Sequence, residues 1–324
     1  MPVQTTMARG GNYTYHRTVR PRKPQRFASG TRSSDERSTC KIATSIKGPF
    51  ELGEALDGTF VITGLLGEGG MGLVYEAHDQ ILNRSVAIKV SWPENRPDVL
   101  RREAQAMAAL RGRGLPCIYG MGIHHGVNYC VMERLYGLTL AQHIDQRPGS
   151  KQLPLAESIA ILIGLTETLA GVHRVGLIHC DLKPANIMLA PGDEIILLDF
   201  GVFCTEGHGA DLPVIRGTPE YVAPEVIEGS MSAGRVHFRD IYSLGCIAYE
   251  LLAGRPPFIA KSPSQVLLKH VYDRPAKLSS IRSDIPIGLD RIISEMLAKE
   301  PELRPFSVEA VKSALLAAQP TRAR

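Results

Sequence analysis

Cysteine is scarce in this sequence, and the few cysteines present do not stand in pairs. The six cysteines are Cys40, Cys117, Cys130, Cys180, Cys204 and Cys246. None of them forms a C-x-x-C pair or belongs to a closely spaced framework. Zinc ribbons bind their metal through such pairs, and small secreted domains are held together by closely spaced disulfides. We therefore expect neither kind of protein, and the pattern favours a reducing, cytoplasmic compartment.

Long apolar runs are also missing. No stretch approaches the ~20 uncharged apolar residues that cross a bilayer. Residues 1–30 lack the apolar core of a secretory signal. We predict a soluble chain with no transmembrane segment.

Histidine spacings typical of metal sites are absent as well. The ten histidines contain no H-x-x-x-H and no H-E-x-x-H pattern. His124 and His125 are adjacent at the end of an apolar run that reads as a strand. Neighbouring side chains of a strand point to opposite faces. We therefore expect no metal site at this pair.

Acidic residues are almost absent from the beginning of the chain. Ten arginines and lysines precede residue 51, against only Asp35 and Glu36, although the formal net charge of the whole chain is only +4. This segment is rich in Ser, Thr, Gly and Pro and has no apolar periodicity, so it cannot bury enough surface to fold. We predict that residues 1–55 form a disordered basic tail. An arm for nucleic acid or another acidic partner and an organelle transit peptide remain open as alternatives.

From Gly58 onward the sequence changes to short apolar and β-branched runs, which are typical of strands. Five runs predict an antiparallel sheet: TFVITGLL, GLVYEAH, SVAIKV, PCIYGMGIHH and VNYCVMERL. Between the third and fourth runs, residues 97–110 carry apolar side chains at spacings of three and four, which is one face of a helix. We predict a small, sheet-rich lobe with one main helix over residues 58–134.

Helices dominate after Gly137. Apolar stripes at helical spacing run over residues 155–172, 241–251 and 289–297, and no internal repeat is visible. We predict a larger, mainly helical lobe over residues 138–318, followed by a short tail at 319–324. The fold class is therefore α+β, with two lobes of different composition.

Four short clusters occur in one order along the chain, and their chemistry is complementary. They are GEGGMG at 67–72, VAIKV at 86–90, HCDLKPAN at 179–186 and LDFG at 198–201, with an APE at 223–225. A glycine-rich turn can fold its backbone over phosphates, and a strand lysine supplies a cation. Aspartates and an asparagine supply oxygen ligands for a divalent metal. Since a strand follows the glycines, a dinucleotide-binding turn is disfavoured, and the order of the clusters predicts phosphoryl transfer from ATP.

Lys89 ends an apolar strand, where an unpaired ammonium would be costly to bury. The helix predicted over residues 97–110 offers Glu103 as its partner. The alternative is that Glu103 is an ordinary solvated helix residue with a surface ion pair.

With these motifs, residues 58–318 resemble a eukaryotic-type (Hanks-type) serine/threonine protein kinase, closest in character to the bacterial members of that family. The resemblance covers about four-fifths of the chain. It implies a two-lobed protein-kinase-like fold with ATP in the cleft between the lobes. It also implies Mg²⁺ (or Mn²⁺) as the metal and protein serine and threonine hydroxyls as phosphate acceptors. Lys183 after the catalytic-loop aspartate is typical of serine/threonine rather than tyrosine kinases.

The resemblance implies a nucleotide site between the glycine-rich strands and the segment that joins the lobes. Its residues would be Leu66, Gly67, Glu68, Gly69, Gly70, Met71, Gly72, Val74, Ala87, Lys89, Met132, Glu133, Leu135 and Met188. Val74 would rest on the adenine, and Met132 would guard the back of the adenine pocket. Lys89, held by Glu103, would bind the α- and β-phosphates.

The catalytic roles follow from the same resemblance. Asp181 would accept or orient the proton of the substrate hydroxyl, and Lys183 would lie against the γ-phosphate. Asn186 and Asp199 would be the metal ligands. Thr218, in GTPEY, would hydrogen-bond the catalytic aspartate.

Three further residues would have structural roles. Glu225 and Arg304 match a buried ion pair that fastens the substrate-docking loop to the helical lobe. Asp240, in RDIYSLG, matches a helix aspartate that holds the backbone of the catalytic loop.

Two positions depart from the family pattern. Cys180 gives HCD where the family usually has HRD, and that arginine normally needs a phosphate on the activation loop. The loop offers one hydroxyl before Thr218, that of Thr205. We therefore predict activity without activation-loop phosphorylation. Cys204 stands where some kinases carry a phosphate-binding lysine; a redox pair with Cys180 and two small apolar fillers are both open interpretations.

Other functions compete with that of an active kinase. A pseudokinase is disfavoured because the lysine, glutamate, aspartates and asparagine of the site are all present. A small-molecule phosphotransferase shares the lobes but normally lacks the GTPEY and APE elements. We expect protein substrates and no nucleic-acid partner for the folded part, while the basic tail leaves nucleic acid open and is also a candidate target of autophosphorylation.

Overall fold

The protein is described by a computed structural model. The described residues are 48–69, 72–92, 97–109, 114–199, 204–205, 218–230 and 234–319. Side chains of residues 97–99, 109 and 204–205 are not part of this description.

The small lobe is built on a six-stranded antiparallel sheet with the spatial order β1-β2-β3-β4-β6-β5. Its strands are β1 (Ala55–Leu56), β2 (Phe60–Gly69), β3 (Gly72–Asp79), β4 (Arg84–Ser91), β5 (Ile118–His124) and β6 (Val127–Glu133). The five predicted strands are confirmed, and β1 is an additional short strand. Their alternating apolar residues bury one face, with Tyr75 and Ile88 fully enclosed.

Helix α1 (Pro97–Ala109) packs against this sheet. Leu100, Ala104 and Met107 form its buried face, as their spacing of three and four predicts. The helix therefore lies where residues on its buried side can reach β4. Residue 110, the predicted end, lies outside the described residues.

The sheet of the small lobe is strongly curled, so that its two edges approach each other. Phe50, before β1, is buried against Tyr75 and Tyr129, and the Tyr129 hydroxyl donates a hydrogen bond to Asp57, just after β1. The predicted basic tail, residues 1–55, therefore overlaps the folded lobe over residues 48–55. The burial of Phe50 and backbone hydrogen bonds of Gly53 and Glu54 to Ile62 anchor a segment whose average composition predicts disorder. Residues 1–47 lie outside the described residues.

The large lobe is mainly helical. Its helices are α2 (Leu140–Asp145), α3 (Leu155–Arg174), α4 (Pro224–Glu228), α5 (Phe238–Ala253), α6 (Pro263–Tyr272), α7 (Ile287–Met296) and α8 (Val308–Ala317). Short strands are β7 (Leu138–Thr139), β8 (Leu177–Ile178), β9 (Ile187–Ala190), β10 (Glu194–Leu197) and β11 (Cys204–Thr205). Helix α3 packs against α5, α8 and β10, and the three predicted apolar stripes fall on α3, α5 and α7. This arrangement confirms the predicted α+β, two-lobed fold.

Helix α3 is the one helix among the described residues that is long and apolar enough to cross a membrane. Core helices of globular domains meet the same criterion, and half of the apolar window of α3 is buried inside the lobe. Its composition is therefore accounted for by its central place in the core.

Candidate active site

The cleft between the lobes has an apolar lining on the side of the small lobe. Leu66, Val74 and Ala87, from β2, β3 and β4, are buried together, and Met132 of β6 packs against them. Glu133, which ends β6, and Leu135, in the segment that joins the lobes, line the same cleft. An apolar slot of this kind, bordered by a few polar groups, is typical of a site for a flat heterocycle. The structure thus brings these six residues of the predicted nucleotide site together.

Met188 lies deeper than predicted. It is buried in the large lobe with Ile196 and Leu198, and Leu135 packs on this cluster. Among the described residues, Met188 is not part of the lining of the cleft. Its contact with a nucleotide therefore stays a prediction.

The glycine-rich turn connects β2 to β3. Gly67 pairs with Val74, exposed Glu68 pairs with Leu73, and Gly69 pairs with Gly72. Gly70 and Met71, at the tip, lie outside the described residues.

Gly72 cannot be replaced by a residue with a side chain in this fold. Its φ is +156°, and a Cβ at this position would overlap the backbone carbonyl of Val90 on β4. A side chain is therefore excluded by close approach of two strands.

Lys89 joins the two lobes through its ammonium. Nζ lies 2.5 Å from Oε1 of Glu103 on α1 and 2.9 Å from Oδ1 of Asp199 in the large lobe. All three side chains are almost fully buried. A buried cation is tolerated when it is paired and hydrogen-bonded, and here two carboxylates share it. The predicted pairing of Lys89 with Glu103 is confirmed, so the alternative of a solvated Glu103 is wrong.

Cys130 lies beside this ion pair. It is opposite Lys89 in the pairing of β4 with β6 and is buried. Burial, and secondarily the charge of Glu103, raise the pKa of the Cys130 thiol to about 12. The thiol is therefore neutral and acts as an apolar neighbour of the charged pair.

Asp199 follows β10 and has an unusual backbone conformation. Its φ is +52°, a left-handed value that is uncommon for a residue other than glycine. The preceding residue, Leu198, is held on both sides, because its amide donates to the carbonyl of Asn186 and its carbonyl lies 3.1 Å from Nε2 of His179. These bonds fix the point from which the Asp199 carboxylate enters the cleft.

The segment between β8 and β9 gathers three of the predicted site residues, Asp181, Lys183 and Asn186. Lys183 Nζ lies 2.9 Å from Oδ2 of Asp181. The Asn186 side-chain amide donates to the same oxygen over 3.0 Å and to the Asp181 carbonyl over 2.9 Å. Asp181, Lys183 and Asn186, which lie within six consecutive positions, thus form one hydrogen-bonded group.

Asp240, on α5, fixes the backbone of this segment. Its buried carboxylate accepts hydrogen bonds from the amides of His179 (2.8 Å) and Cys180 (2.9 Å), and it contacts Nε2 of His173 at 2.9 Å. Burial acts to raise the pKa of Asp240, but the hydrogen bonds and positive charge of His173 outweigh it and the pKa lies below its ordinary value. The predicted role of Asp240 is confirmed.

The structural ion pair of the large lobe is confirmed as well. Arg304 donates to both carboxylate oxygens of Glu225, each over 2.8 Å, and both residues are buried.

Thr218 lines a second cavity together with Lys183 and Tyr221. In the described part of the chain, the side-chain contacts of Asp181 are with Lys183 and Asn186. The hydrogen bond from Thr218 to Asp181 therefore stays a prediction.

Two arginines contribute to the site without having been predicted. Arg134 lines the cleft, and its Nε donates to Glu76 over 2.9 Å. Arg239 of α5 donates to the carbonyl of Cys180 over 2.9 Å. Arg134 follows Glu133 and Arg239 precedes Asp240 in the sequence. This adjacency to motif residues was the only sequence signal that could have identified the two arginines.

Comparison with known proteins agrees with this geometry. The family described as "Protein kinase domain" matches residues 60–316. A probable serine/threonine-protein kinase of Streptomyces coelicolor is 34% identical over 270 residues, which is 79% of this chain and 39% of that protein. The serine/threonine-protein kinase PknB of Mycolicibacterium smegmatis is 33% identical over 282 residues, which is 82% of this chain and 42% of PknB.

A solved structure is also similar. The crystal structure of the PknI kinase domain of Mycobacterium tuberculosis, a double mutant, has a TM-score of 0.66 and 29% sequence identity. The match covers 83% of this chain and 98% of that domain. The chain spans about two-fifths of the length of the curated relatives it matches.

Proposed function

This chain belongs to the protein kinase family, and from that membership we propose that it is an active serine/threonine protein kinase. It transfers the γ-phosphate of ATP to serine and threonine hydroxyls of proteins. The observation that carries the proposal is the position of Lys89, whose ammonium is shared by Glu103 and Asp199 across the two lobes. A pseudokinase has no need to hold this arrangement, which places a cation and a metal-binding carboxylate side by side.

The residues present fit ATP and a divalent metal. Asp199 and Asn186 offer a carboxylate and an amide oxygen. Oxygen atoms of this kind are the ligands that Mg²⁺ takes. Bound there, Mg²⁺ would neutralise charge on the phosphates during transfer. Lys89 binds the α- and β-phosphates, and the apolar slot formed by Leu66, Val74 and Ala87 holds the base.

Asp181 is oriented for the acceptor hydroxyl. Among the described residues, Lys183 and Asn186 both contact Oδ2 of this aspartate, which leaves Oδ1 for the incoming hydroxyl. The carboxylate then orients the hydroxyl and takes its proton as the phosphorus–oxygen bond forms. Lys183, already next to Asp181, binds the γ-phosphate and brings donor and acceptor together.

Activity does not require phosphorylation of the activation loop. Where the family usually has an arginine, Cys180 packs with Ile178 and Val236 in a small apolar cluster. An arginine there would need a phosphate to balance its charge, and a cysteine does not. The backbone at this point is held instead by Asp240 and Arg239.

The proposed location is the cytoplasm. Cys117, Cys130, Cys180 and Cys246 are free thiols, as in proteins of a reducing compartment. Cys204 has no described side chain, so a redox pair with Cys180 stays a prediction, which mass spectrometry after mild oxidation would test by detecting a linked peptide.

The activity is tested with the purified chain, Mg²⁺ and radiolabelled ATP, followed by mapping of phosphoserine and phosphothreonine. Lys89→Met and Asp181→Asn should each lower the rate by at least on the order of 100-fold, because each removes a group that stabilises or orients the transition state. Asp193→Asn is the matched control, since Asp193 lies on an exposed turn. Equal rates for Asp181→Asn and the wild type would overturn the proposal, and phosphate transfer only to small alcohols would favour the metabolite phosphotransferase.

A further inference from the structure

We propose that Glu54, His124 and His125 form a binding site for Zn²⁺ on the small lobe, outside the interlobe cleft. The three side chains come from two places far apart in the sequence. Glu54 directly precedes β1, His124 ends β5, and His125 begins the turn from β5 to β6. A carboxylate and two imidazoles are ligands that Zn²⁺ commonly takes.

The distances between the ligand atoms suit a tetrahedral ion. Oε1 of Glu54 lies 3.2 Å from Nε2 of His124 and 3.7 Å from Nε2 of His125. One ligand atom from each of the three residues falls within 4.8 Å of the others. Zinc bonds of about 2.0–2.1 Å in tetrahedral geometry place neighbouring ligands roughly 3.3 Å apart. Small side-chain rotations therefore bring all three atoms to bonding distance of one ion.

The turn explains why two adjacent histidines point to the same place. His125 and Gly126 have φ values of +49° and +78°, as in a two-residue type I′ hairpin turn. His125 is therefore outside the strand, and the alternation of strand side chains does not apply to it. The two imidazole rings lie 4.2 Å apart between centroids. The expectation that these histidines face opposite sides is wrong for this reason.

Surrounding groups already orient the ligands. Oε2 of Glu54 accepts the backbone amide of Glu51 over 2.6 Å, which directs Oε1 toward the histidines. Nδ1 of His124 lies 3.5 Å from Oδ1 of Asp57, and Oδ2 of Asp57 accepts a hydrogen bond from Tyr129. Nδ1 of His124 here accepts the backbone amide of Asp57 over 3.4 Å; with Zn²⁺ on Nε2 the ring proton would sit on Nδ1, and Oδ1 of Asp57 is the carboxylate oxygen placed to accept it.

A Zn²⁺ ion at this position would link the two edges of the curled sheet. Strands β1 and β5 are the two edges of the six-stranded sheet, and the ion would join the segment before β1 to the end of β5. The side chain of His125 is 75% exposed, so water can supply the fourth ligand. The site would thus stabilise the small lobe.

The test uses the full chain without an affinity tag, stripped of metal with EDTA and titrated with Zn²⁺ by calorimetry in excess Mg²⁺. Mg²⁺ occupies sites made of oxygen ligands and leaves an imidazole site open. The wild type should bind one Zn²⁺ that His125→Asn does not bind. Asparagine followed by Gly126 is the favoured pair for a type I′ turn, so this variant keeps the fold.

Two further variants make the test specific. Asp57→Asn should weaken Zn²⁺ binding by about 10–100-fold, the usual effect of losing an outer partner of a metal-binding histidine. His78→Gln, a half-buried histidine of β3 in the same lobe, should bind Zn²⁺ like the wild type. At a hundredfold excess of Zn²⁺ over its Kd, the melting temperature of the wild type should rise by about 5 °C and that of His125→Asn should not. Unchanged Zn²⁺ binding by His125→Asn, or no Zn²⁺ binding by the wild type, would overturn the proposal.

Discussion

Arg304 and Glu225 meet as two planar groups, with two parallel hydrogen bonds of 2.8 Å between residues that are 79 positions apart. Arg304 also donates to the carbonyls of Ala298, Lys299 and Phe238 over 2.9–3.0 Å. One guanidinium thereby links α4, the start of α5 and the turn after α7. Because the charge is fully enclosed, its removal leaves the Glu225 carboxylate buried without a partner.

We predict that Arg304→Met lowers the free energy of unfolding by ~3–5 kcal/mol, the cost of breaking a buried ion pair on one side. Urea unfolding followed by circular dichroism measures this change. The matched control is Arg291→Met, since Arg291 is exposed and contacts Glu295 at 3.6 Å. That surface pair is worth less than ~0.5 kcal/mol. Similar losses for the two variants would contradict the prediction.

Asp240→Asn should damage catalysis more than nucleotide binding. The Asp240 carboxylate accepts the amides of His179 and Cys180 and contacts His173, whereas asparagine offers one acceptor oxygen and one donor that opposes these groups. A displaced catalytic segment misplaces Asp181, so we expect kcat to fall by about 10–100-fold, as a misplacement on the order of 1 Å can cause. The KM for ATP should change little, because Lys89 and the apolar slot lie on the small lobe.

The control for this variant is Asp290→Asn. Asp290, on α7, also accepts a backbone amide, that of Leu278, and a hydroxyl, that of Ser279. Its substitution should lower stability and leave kcat per folded molecule unchanged. Steady-state kinetics of both variants decide the matter, and an equal loss of kcat in the two would show that Asp240 acts only through stability.

The sequence predicted those parts of the molecule that depend on local periodicity or on contiguous motifs. Strands β2 to β6 alternate or are uniformly apolar, and α1, α3, α5 and α7 repeat every three or four residues, so their existence follows from the order of side chains. Glu103 could be named because a buried lysine requires a carboxylate and the neighbouring helix offered one on its inner face.

The parts that could not be predicted depend on contacts between distant segments. The burial of Phe50 depends on a sheet curled enough for Tyr75 and Tyr129 to surround it. The sequence of a single strand does not determine that curvature. Gly72 faces Val90 because of the pairing of β3 with β4. The orientation of His125 depends on the type of the two-residue turn. A histidine in the sequence does not indicate the positive φ that this residue adopts there.

Stability should fall in mild acid because of His270. This histidine of α6 is fully buried, and its Nδ1 lies 2.9 Å from the Tyr242 hydroxyl. Burial, and then the charge of Lys299, lower the pKa of His270 to about 3. In the unfolded chain a histidine takes its proton near pH ~6.5. Between pH ~6.5 and ~3 the unfolded state therefore binds more protons, and the free energy of unfolding decreases as the pH falls.

The size of this effect can be isolated with His270→Gln. From pH 7.0 to pH 5.5, the wild type should lose about 1 kcal/mol more than the variant, since every other titrating group is common to both. Urea unfolding at the two pH values measures the difference. If both proteins lose the same free energy over this interval, His270 is not held neutral in the folded state.

Thr205 provides the test of control by the activation loop. It is the only hydroxyl residue between positions 200 and 217. The backbone of β11 pairs Thr205 with Leu177 and Cys204 with Ile178, beside Cys180. Cys180 has a φ of +67° and is tied by its amide to Asp240 and by its carbonyl to Arg239. This segment is thus held by backbone bonds that no phosphate has to complete.

We therefore expect Thr205→Ala and phosphatase-treated wild type to have the same kcat/KM as the untreated enzyme. Thr218→Ala is the matched control, because the predicted hydrogen bond of Thr218 to Asp181 would be lost and the rate should fall by up to about tenfold, the value of one hydrogen bond. Initial rates with a protein substrate at saturating Mg²⁺ and ATP measure both effects. An enzyme that stays inactive until Thr205 carries a phosphate would contradict this expectation.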